Sequence, residues 1–370
     1  MPILSSSSTF VRFTVEKPLV SDLASYLADV FKQGAFKDPE PLQKQSAGFS
    51  SIDNMFDTEF PYANYEKGEY IAFNFRIDER KIPSTVFKQF LHKAETEYRK
   101  KHEGRRPHRN EWNDIKDSVE LKLLSQMLPS PKAFQVIWSP SSGYLLFGST
   151  QEKIIDQFLE YFEKYFKLYP KPKDALTSAL EDKKLEQKQK EFLTRLIASR
   201  SRELTEDIFL GSEFLLWLWY YSEIEKGQIS LDKDTHFELF VGNRMTLEGT
   251  VDGKKQRVVC SGPDSDMAEA RMALKEGKQI KEAEYQITIG ENRYSFILDT
   301  RLWAIKSLKT PRIDSSLDDD DPEGRFFEKM YLIEEALKYI DLIYHHFLTL
   351  RLSISWERDI VPDLKKWIEF

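Results

Sequence analysis

Residues 99–109 read Arg-Lys-Lys-His-Glu-Gly-Arg-Arg-Pro-His-Arg, and no other segment restricts the fold as strongly. Before it, Phe87, Phe90, Leu91, Ala94 and Tyr98 recur at helical spacing. After it, Trp112, Ile115, Val119, Leu123 and Met127 do the same. Gly104 and Pro107 lie between the two runs, and inside a helix they cost about 1 and about 3 kcal/mol relative to alanine. One continuous helix is therefore excluded. The pattern predicts two antiparallel helices, an arm with a basic tip. Pro83-Ser84-Thr85 supplies a start signal for the first helix, and Leu128-Pro129-Ser130-Pro131 stops the second.

The arm interrupts a mixed pattern. Phe10, Arg12 and Thr14 alternate with Val11, Phe13 and Val15 as in a strand, and Leu19, Leu23, Tyr26, Leu27 and Val30 share a helical face. Residues 68–77 read as a strand, and residues 134–148 as a β-hairpin around a Ser-Pro-Ser-Ser-Gly turn. Ile154, Ile155, Phe158, Leu159, Phe162, Tyr165 and Phe166 then form a strongly amphipathic helix. A charged stretch, residues 181–202, reads as a solvated helix. Beyond it come strands at 235–241, 245–251 and 256–261, a helix at 267–275 ending at Gly277, and a strand pair at 283–289 and 293–298. Residues 301–308 read as a short helix. An acidic loop (Asp314, Asp318 to Asp321, Glu323) precedes a long hydrophobic helix, residues 326–352.

The expected class is thus α+β. A central antiparallel-sheet and helix domain (1–75 plus 134–174) carries the inserted arm (76–133). A charged connector (175–210), a second α+β base domain (211–312) and an acidic loop with a C-terminal helical extension (313–370) follow. A length of 370 residues accommodates two or three domains at ~150 residues each.

Charge must be divided by region to be informative. The chain has 54 Lys plus Arg and 61 Asp plus Glu, a formal net charge of −7, which argues against an indiscriminately basic protein. Residues 76–132, however, hold 14 Lys/Arg against 9 Asp/Glu, so the arm is +5 and the remainder −12. A basic arm on an acidic body is the footprint of phosphate-backbone binding, which needs local charge. A solvated loop between two helices would also account for it.

Signals for catalysis are weak. None of the six histidines forms H-E-x-x-H, and His345-His346 sit in a hydrophobic run as core or interface residues. Asp318 to Asp321 read as a self-repelling solvated loop rather than a metal site. Glu238 and Asp299 have the residue type of a two-metal nuclease but no supporting spacing. Cys260, the single cysteine, precludes an intrachain disulfide or cysteine cluster, reads as a buried thiol, and fits a reducing, cytoplasmic compartment. Neither G-x-G-x-x-G nor G-x-x-x-x-G-K-[ST] occurs. The start has no charged region followed by an apolar one. The longest apolar run, residues 214–221, is too short to span a membrane and favours core or dimer packing, because no basic residues interleave its aromatics. No cofactor and no metal are called for.

Several short elements, taken in order, resemble the RdgC family of recombination-associated proteins. They begin with Gly48-Phe49, then residues 68–71, Arg76-Ile-Asp-Glu-Arg-Lys-Ile-Pro83 and Val86-Phe-Lys-Gln89. Leu128-Pro-Ser-Pro-Lys-Ala-Phe134 is similar to the family's Leu-Leu-Pro-(Arg/Lys)-Ala-Phe element, and Ile137-Trp138, residues 143–146 and Ser149 follow. In the second half Leu216-Trp217, residues 273–280 and Lys306-Ser-Leu-Lys309-Thr-Pro311 keep the order, so the resemblance spans roughly residues 10–312. The chain departs from the family in the Ser130-Pro131 insertion, the expanded charged segment near 175–205, and the Asp-rich loop with its C-terminal helix.

The resemblance implies a DNA-binding protein without sequence preference and without enzymatic activity. It implies a ring-shaped homodimer encircling double-stranded DNA, with single-stranded DNA as a further ligand, nucleoid association, and competition with the RecA recombinase. Phosphate contacts are expected at Arg99, Lys100, Lys101, Arg105, Arg106 and Arg109, with Lys88, Lys93, Lys116 and Lys122 secondary. Lys132 takes the position of the family's basic residue before Ala-Phe, and Phe134 that of its Phe; these imply the contact between arm tips. The competing classes are a metal-dependent exonuclease and a protein-interaction scaffold that uses the basic arm.

Overall fold

The computed structural model describes residues 2–200, 209–231, 235–251, 253–262, 267–312 and 321–369. The first part of the chain forms β1 (Ser7–Thr14), α1 (Leu23–Gly34), β2 (Gln45–Ser51), β3 (Glu66–Lys67) and β4 (Tyr70–Glu79). The arm helices follow as α2 (Ser84–Lys101) and α3 (Arg109–Leu124), then β5 (Ser130–Ser139), β6 (Tyr144–Phe147), α4 (Glu152–Phe166) and β7 (Lys171–Pro172). Next come α5 (Ala175–Glu181), α6 (Gln187–Arg200), α7 (Phe209–Ile224), β8 (Gln228–Ser230), β9 (His236–Val251), β10 (Lys254–Ser261) and α8 (Ala268–Lys275). The chain closes with β11 (Gln279–Ile289), β12 (Asn292–Asp299), β13 (Ile305–Lys309), α9 (Pro322–Arg351) and α10 (Val361–Glu369). The fold is α+β, with antiparallel strand ladders.

The chain divides into two compact units. The arm unit comprises Lys17–Ser141 and Gln157–Tyr169. In it β4 lies between β2 and β5, and β3 adds to β4. α1 and the later turns of α4 bury an aromatic core. Phe31 sits 5.1 Å from Phe73 and 5.8 Å from Phe166, Trp138 sits 5.8 Å from Phe162, and Phe75 sits 5.7 Å from Phe158. Edge-to-face geometry dominates these contacts, as ring quadrupoles favour. Gly48 has a steric role here. Phe36 accepts a turn onto β2, donating its N–H to the Phe49 carbonyl at 2.8 Å, and a Cβ at position 48 would stand 2.4 Å from Phe36 Cα.

The larger unit comprises Met1–Glu16, Ser142–Asp156 and Pro170–Phe370. Its strands run β10-β9-β11-β12-β13-β1-β6, with β7 on β1 and β8 on β9. The apolar run at 214–221 lies in α7, where Phe214, Leu215, Trp217, Leu218 and Trp219 are buried. They form a core of this unit with Trp303, Tyr344 and Phe347, and the Tyr285 hydroxyl donates to the Leu215 carbonyl at 2.9 Å. Among the described residues no helix is long and apolar enough to cross a membrane.

Some local expectations are corrected. Residues 301–308 are not helical. The Asp299 carboxylate accepts the N–H groups of Arg301 and Leu302 at 3.0 and 2.9 Å, Trp303 turns with φ 51°, and Ile305–Lys309 pairs with both β12 and β1. Two flanking strands satisfy its backbone where a two-turn helix would leave most of its groups unpaired. Leu19 lies outside α1 and is fully exposed, because Asp22 caps the helix by accepting from Ala24 and Ser25.

The strands expected at 235–241 and 245–251 are one, β9, accommodated by register shifts against β11. Its middle is held where Asn243 donates its N–H to the Glu284 carboxylate at 3.2 Å. The charged stretch 181–202 is broken rather than one helix. Asp182 leaves α5 extended, its carboxylate accepting from Lys184 N–H and meeting His345 Nδ1 at 2.6 Å. Arg202 lies outside the described residues, as do Asp314 and Asp318 to Asp320 of the acidic loop. Ser130 and Pro131 do more than end a helix: they open β5. Ser84 begins α2 as expected, yet the preceding position is Pro83 and no side chain caps it.

Candidate nucleic-acid interface

The arm springs from the centre of the arm unit's sheet. β4 leads into α2 and β5 receives the chain from α3, with Glu79 opposite Ser130, Asp78 opposite Pro131, Ile77 opposite Lys132 and Phe75 opposite Phe134. Both ends of the arm are thus tied by one ladder. Arg80 reinforces this root. Its Nε donates to the Met127 carbonyl at 3.0 Å, while its terminal nitrogens reach the carbonyls of Glu40 at 2.7 Å, Gln43 at 2.8 Å and Pro39 at 3.3 Å. The guanidinium fork suits this task because it presents five donors in a fixed plane. This cation therefore holds backbone, although it counts toward the arm's positive charge.

Between the arm helices the packing is partial. α3 buries Val119, Leu123 and Leu124, whereas α2 buries none of its side chains. Phe90, Ala94 and Tyr98 face Ile115 and Val119 across a groove of about 460 Å³ with Lys93, Glu97, Asp114 and Lys122 on its rim. That rim carries both signs of charge.

The turn at the tip is built from its own side chains. α2 ends as Glu103 takes φ 51° and Gly104 φ 85°, with the Gly104 N–H donating to the Arg99 carbonyl at 2.8 Å. Glycine is needed at such an angle, and the space around it is open. Arg105 then donates to both oxygens of Glu111 at 2.7 and 3.1 Å, and also to the Tyr98 hydroxyl. Glu111 also accepts the His108 N–H at 2.7 Å, capping the start of α3. The Arg105 bonds, with help from the Tyr98 hydroxyl and the His108 N–H, bring the Glu111 carboxyl down to about 2. Tyr98 stacks on His102 at 4.0 Å and lies under the Arg105 guanidinium at 5.6 Å.

This knot sorts the expected phosphate contacts. Arg99 pairs with Glu95 and Arg105 with Glu111. Lys100, Lys101, Arg106 and Arg109 are exposed and, among the described residues, make no ion pair. Lys88, Lys93 and Lys122 are exposed on the helices, and Lys116 is half-buried. The structure gathers these side chains on one hairpin. Lys132 and Phe134 lie away from that hairpin: both are on β5 at the root of the arm, with Lys132 Nζ 3.5 Å from Glu79. Sequence reasoning missed Arg80 and Glu111. The spacing of Glu111 three residues after His108 matches a capping box and was the available signal; nothing in the sequence marks Arg80 as a carbonyl clamp.

The residues weighed for catalysis go to structural partners. Asp299 pairs with Lys306 at 2.7 Å, and Glu238 accepts from Gln228 at 3.0 Å. Cys260 is buried, and burial, aided by Glu269, pushes its thiol up. His346 is half-buried beside Trp217 and Tyr221, and burial holds its imidazole below the usual range, with His345 adding to the effect.

The family model described as "Putative exonuclease, RdgC" matches residues 9–216, which include the arm and both strands at its root. The chain belongs to the RdgC family. The RdgC match runs from within β1 through the first half of α7; the Ala273 and Lys306 elements lie beyond it. No curated protein matches the sequence. Within the RdgC region the motif Gly48-Phe49 has a physical reason, since glycine alone permits the approach of Phe36 to β2. The Arg76 motif likewise contains a buried ion pair, Arg76 with Asp78 at 2.7 Å, with the guanidinium 3.9 Å from the Phe36 ring.

Proposed function

We propose that this RdgC-family protein binds double-stranded DNA through phosphate contacts made by its arm, without reading base sequence and without cutting the strand. The observation that carries the proposal is the set of exposed tip cations, Lys100 and Lys101 at the end of α2, Arg106 on the turn and Arg109 at the start of α3, around a turn held by Arg105 and Glu111. A preorganised turn lowers the ordering cost of contact. Phosphate contacts position a protein on a duplex but specify no sequence. The acidic remainder, −12 by residue count, disfavours DNA elsewhere and biases it to the arm.

Encirclement by a homodimer, contact through Lys132 and Phe134, binding of single-stranded DNA, and restraint of RecA by occupancy of its substrate belong to the same proposal. Two arms would double the local charge, and a ring would let weak contacts add without registering on any site. Anisotropy of a labelled duplex across a salt series tests the core of it. Affinity is expected to fall steeply with salt and to vary little among duplexes of different sequence. Affinity that tracked sequence but not salt would overturn it. The family description names an exonuclease; reproducible degradation of duplex with Mg²⁺ or Mn²⁺, abolished by one carboxylate substitution, would replace binding by catalysis. Undiminished DNA binding after charge reversal at Arg106 and Arg109 would favour a protein-interaction scaffold.

A further inference from the structure

Two lysine ammonium groups on the arm stand over aromatic rings of their own helices. Lys93 Nζ lies 5.3 Å from the centroid of Phe90, three residues earlier, and Lys116 Nζ lies 5.7 Å from that of Trp112, four residues earlier. Both spacings place ring and cation on one helical face. We infer that Phe90 and Trp112 are positioning residues that hold Lys93 and Lys116 for contact with DNA phosphates. This inference rests on the arm being a phosphate-binding surface.

The physical reason is entropic as well as electrostatic. A free lysine loses rotamer freedom when its ammonium is fixed on a phosphate. The negative face of a ring attracts the ammonium beforehand, so less freedom remains to be lost and the contact is stronger for the same charge. Lys116, midway along α3, and Trp112 are both half-buried. Among the described residues neither lysine has a carboxylate partner, which leaves each ammonium available to an external anion.

Arg105 supplies the contrast within the same arm. It too lies over a ring, Tyr98, at 5.6 Å, but Glu111 and the Tyr98 hydroxyl take its donors. A ring with a carboxylate makes a lock; a ring alone makes a poised cation.

The test is duplex-binding anisotropy across a salt series with full-length Trp112→Leu, Trp112→Phe, Phe90→Leu, Lys93→Ala and Lys116→Ala. The leucine variants keep apolar bulk and every charge but lose the π-face. They are expected to bind about two- to fivefold more weakly at low salt, with the slope of log affinity against log salt unchanged. Trp112→Phe should keep most of the affinity. Each lysine variant should reduce the slope by about 0.9. Wild-type affinity in both leucine variants, equal losses in Trp112→Phe and Trp112→Leu, or a leucine variant whose slope falls would overturn the positioning role while leaving phosphate contact standing. Unchanged slopes in both lysine variants would overturn phosphate contact by these two residues, and the positioning role with it.

Discussion

Arg105 and Glu111 face each other across the turn that joins α2 to α3, the guanidinium donating to both carboxylate oxygens at 2.7 and 3.1 Å. A bidentate pair of this geometry is specific as well as attractive. It is exposed, so its contribution to stability is small and falls with salt. Its main effect is to fix the turn and to withdraw one arginine from the arm's free charge.

Arg105→Ala should therefore weaken DNA binding less directly than Arg106→Ala or Arg109→Ala. In a salt series the latter two should each lower the slope by about 0.9, and Arg105→Ala by clearly less. Equal slopes for all three variants would show that Arg105 reaches phosphate despite its partner.

Acid should loosen the tip before it removes the arm. Glu111 is held down to about 2, below the 4.5 usual for glutamate. A depressed carboxyl stabilises the folded turn above the unfolded value, and this stabilisation is lost as pH falls through the folded one. Amide exchange at residues 103–108 should accelerate relative to α3 between about pH 4.5 and pH 2, after allowance for intrinsic rates. Glu111→Gln should abolish that relative change; its persistence would assign the effect to another group.

Arg80→Ala should free the arm at its root. Four carbonyls lose a charged donor at once. Partial hydration of the site offsets much of this, so a loss of about 2 kcal/mol is expected. Urea unfolding measures the loss, and faster amide exchange at the carbonyl-bearing loop and at Met127 would locate it. An unchanged midpoint would show that the β4–β5 ladder suffices.

Gly48→Ala tests whether the first family motif is steric. Its Cβ would meet backbone atoms of Phe36 and Ala35, the nearest at 2.4 Å, and backbone there is tied by the hydrogen bond from Phe36 to Phe49. A loss of about 3 kcal/mol is expected in denaturant unfolding. A loss under about 1 kcal/mol would mean that α1 shifts freely.

Leu27 and Val30 in α1, the strand that carries Phe73, Phe166 in α4 and the run in α7 were legible because apolar patterning reports burial, whereas Phe31, at the centre of the aromatic cluster, was not singled out. The pairing partners of charge were not. Arg12 alternates as a surface residue in β1, yet it is buried with its guanidinium 2.8 Å from Asp341, 329 residues away in the chain. Burial alone would raise Asp341, but Arg12 and Lys173 together hold its carboxyl below the usual range. The segment 305–309 is similar: helical spacing was present, and neighbouring strands on both sides overrode it.

By itself the sequence determined that residues 99–109 break a helix and that the charge there is positive, because backbone preference and formal charge are local properties. Only the tertiary structure decided which of the arm's cations, there and on its helices and root, remain available. Arg80 is spent on carbonyls, Arg99 and Arg105 on carboxylates, and Lys93 and Lys116 stand over rings. Pairing depends on distances across turns and between elements, and a count of residues contains none of those distances.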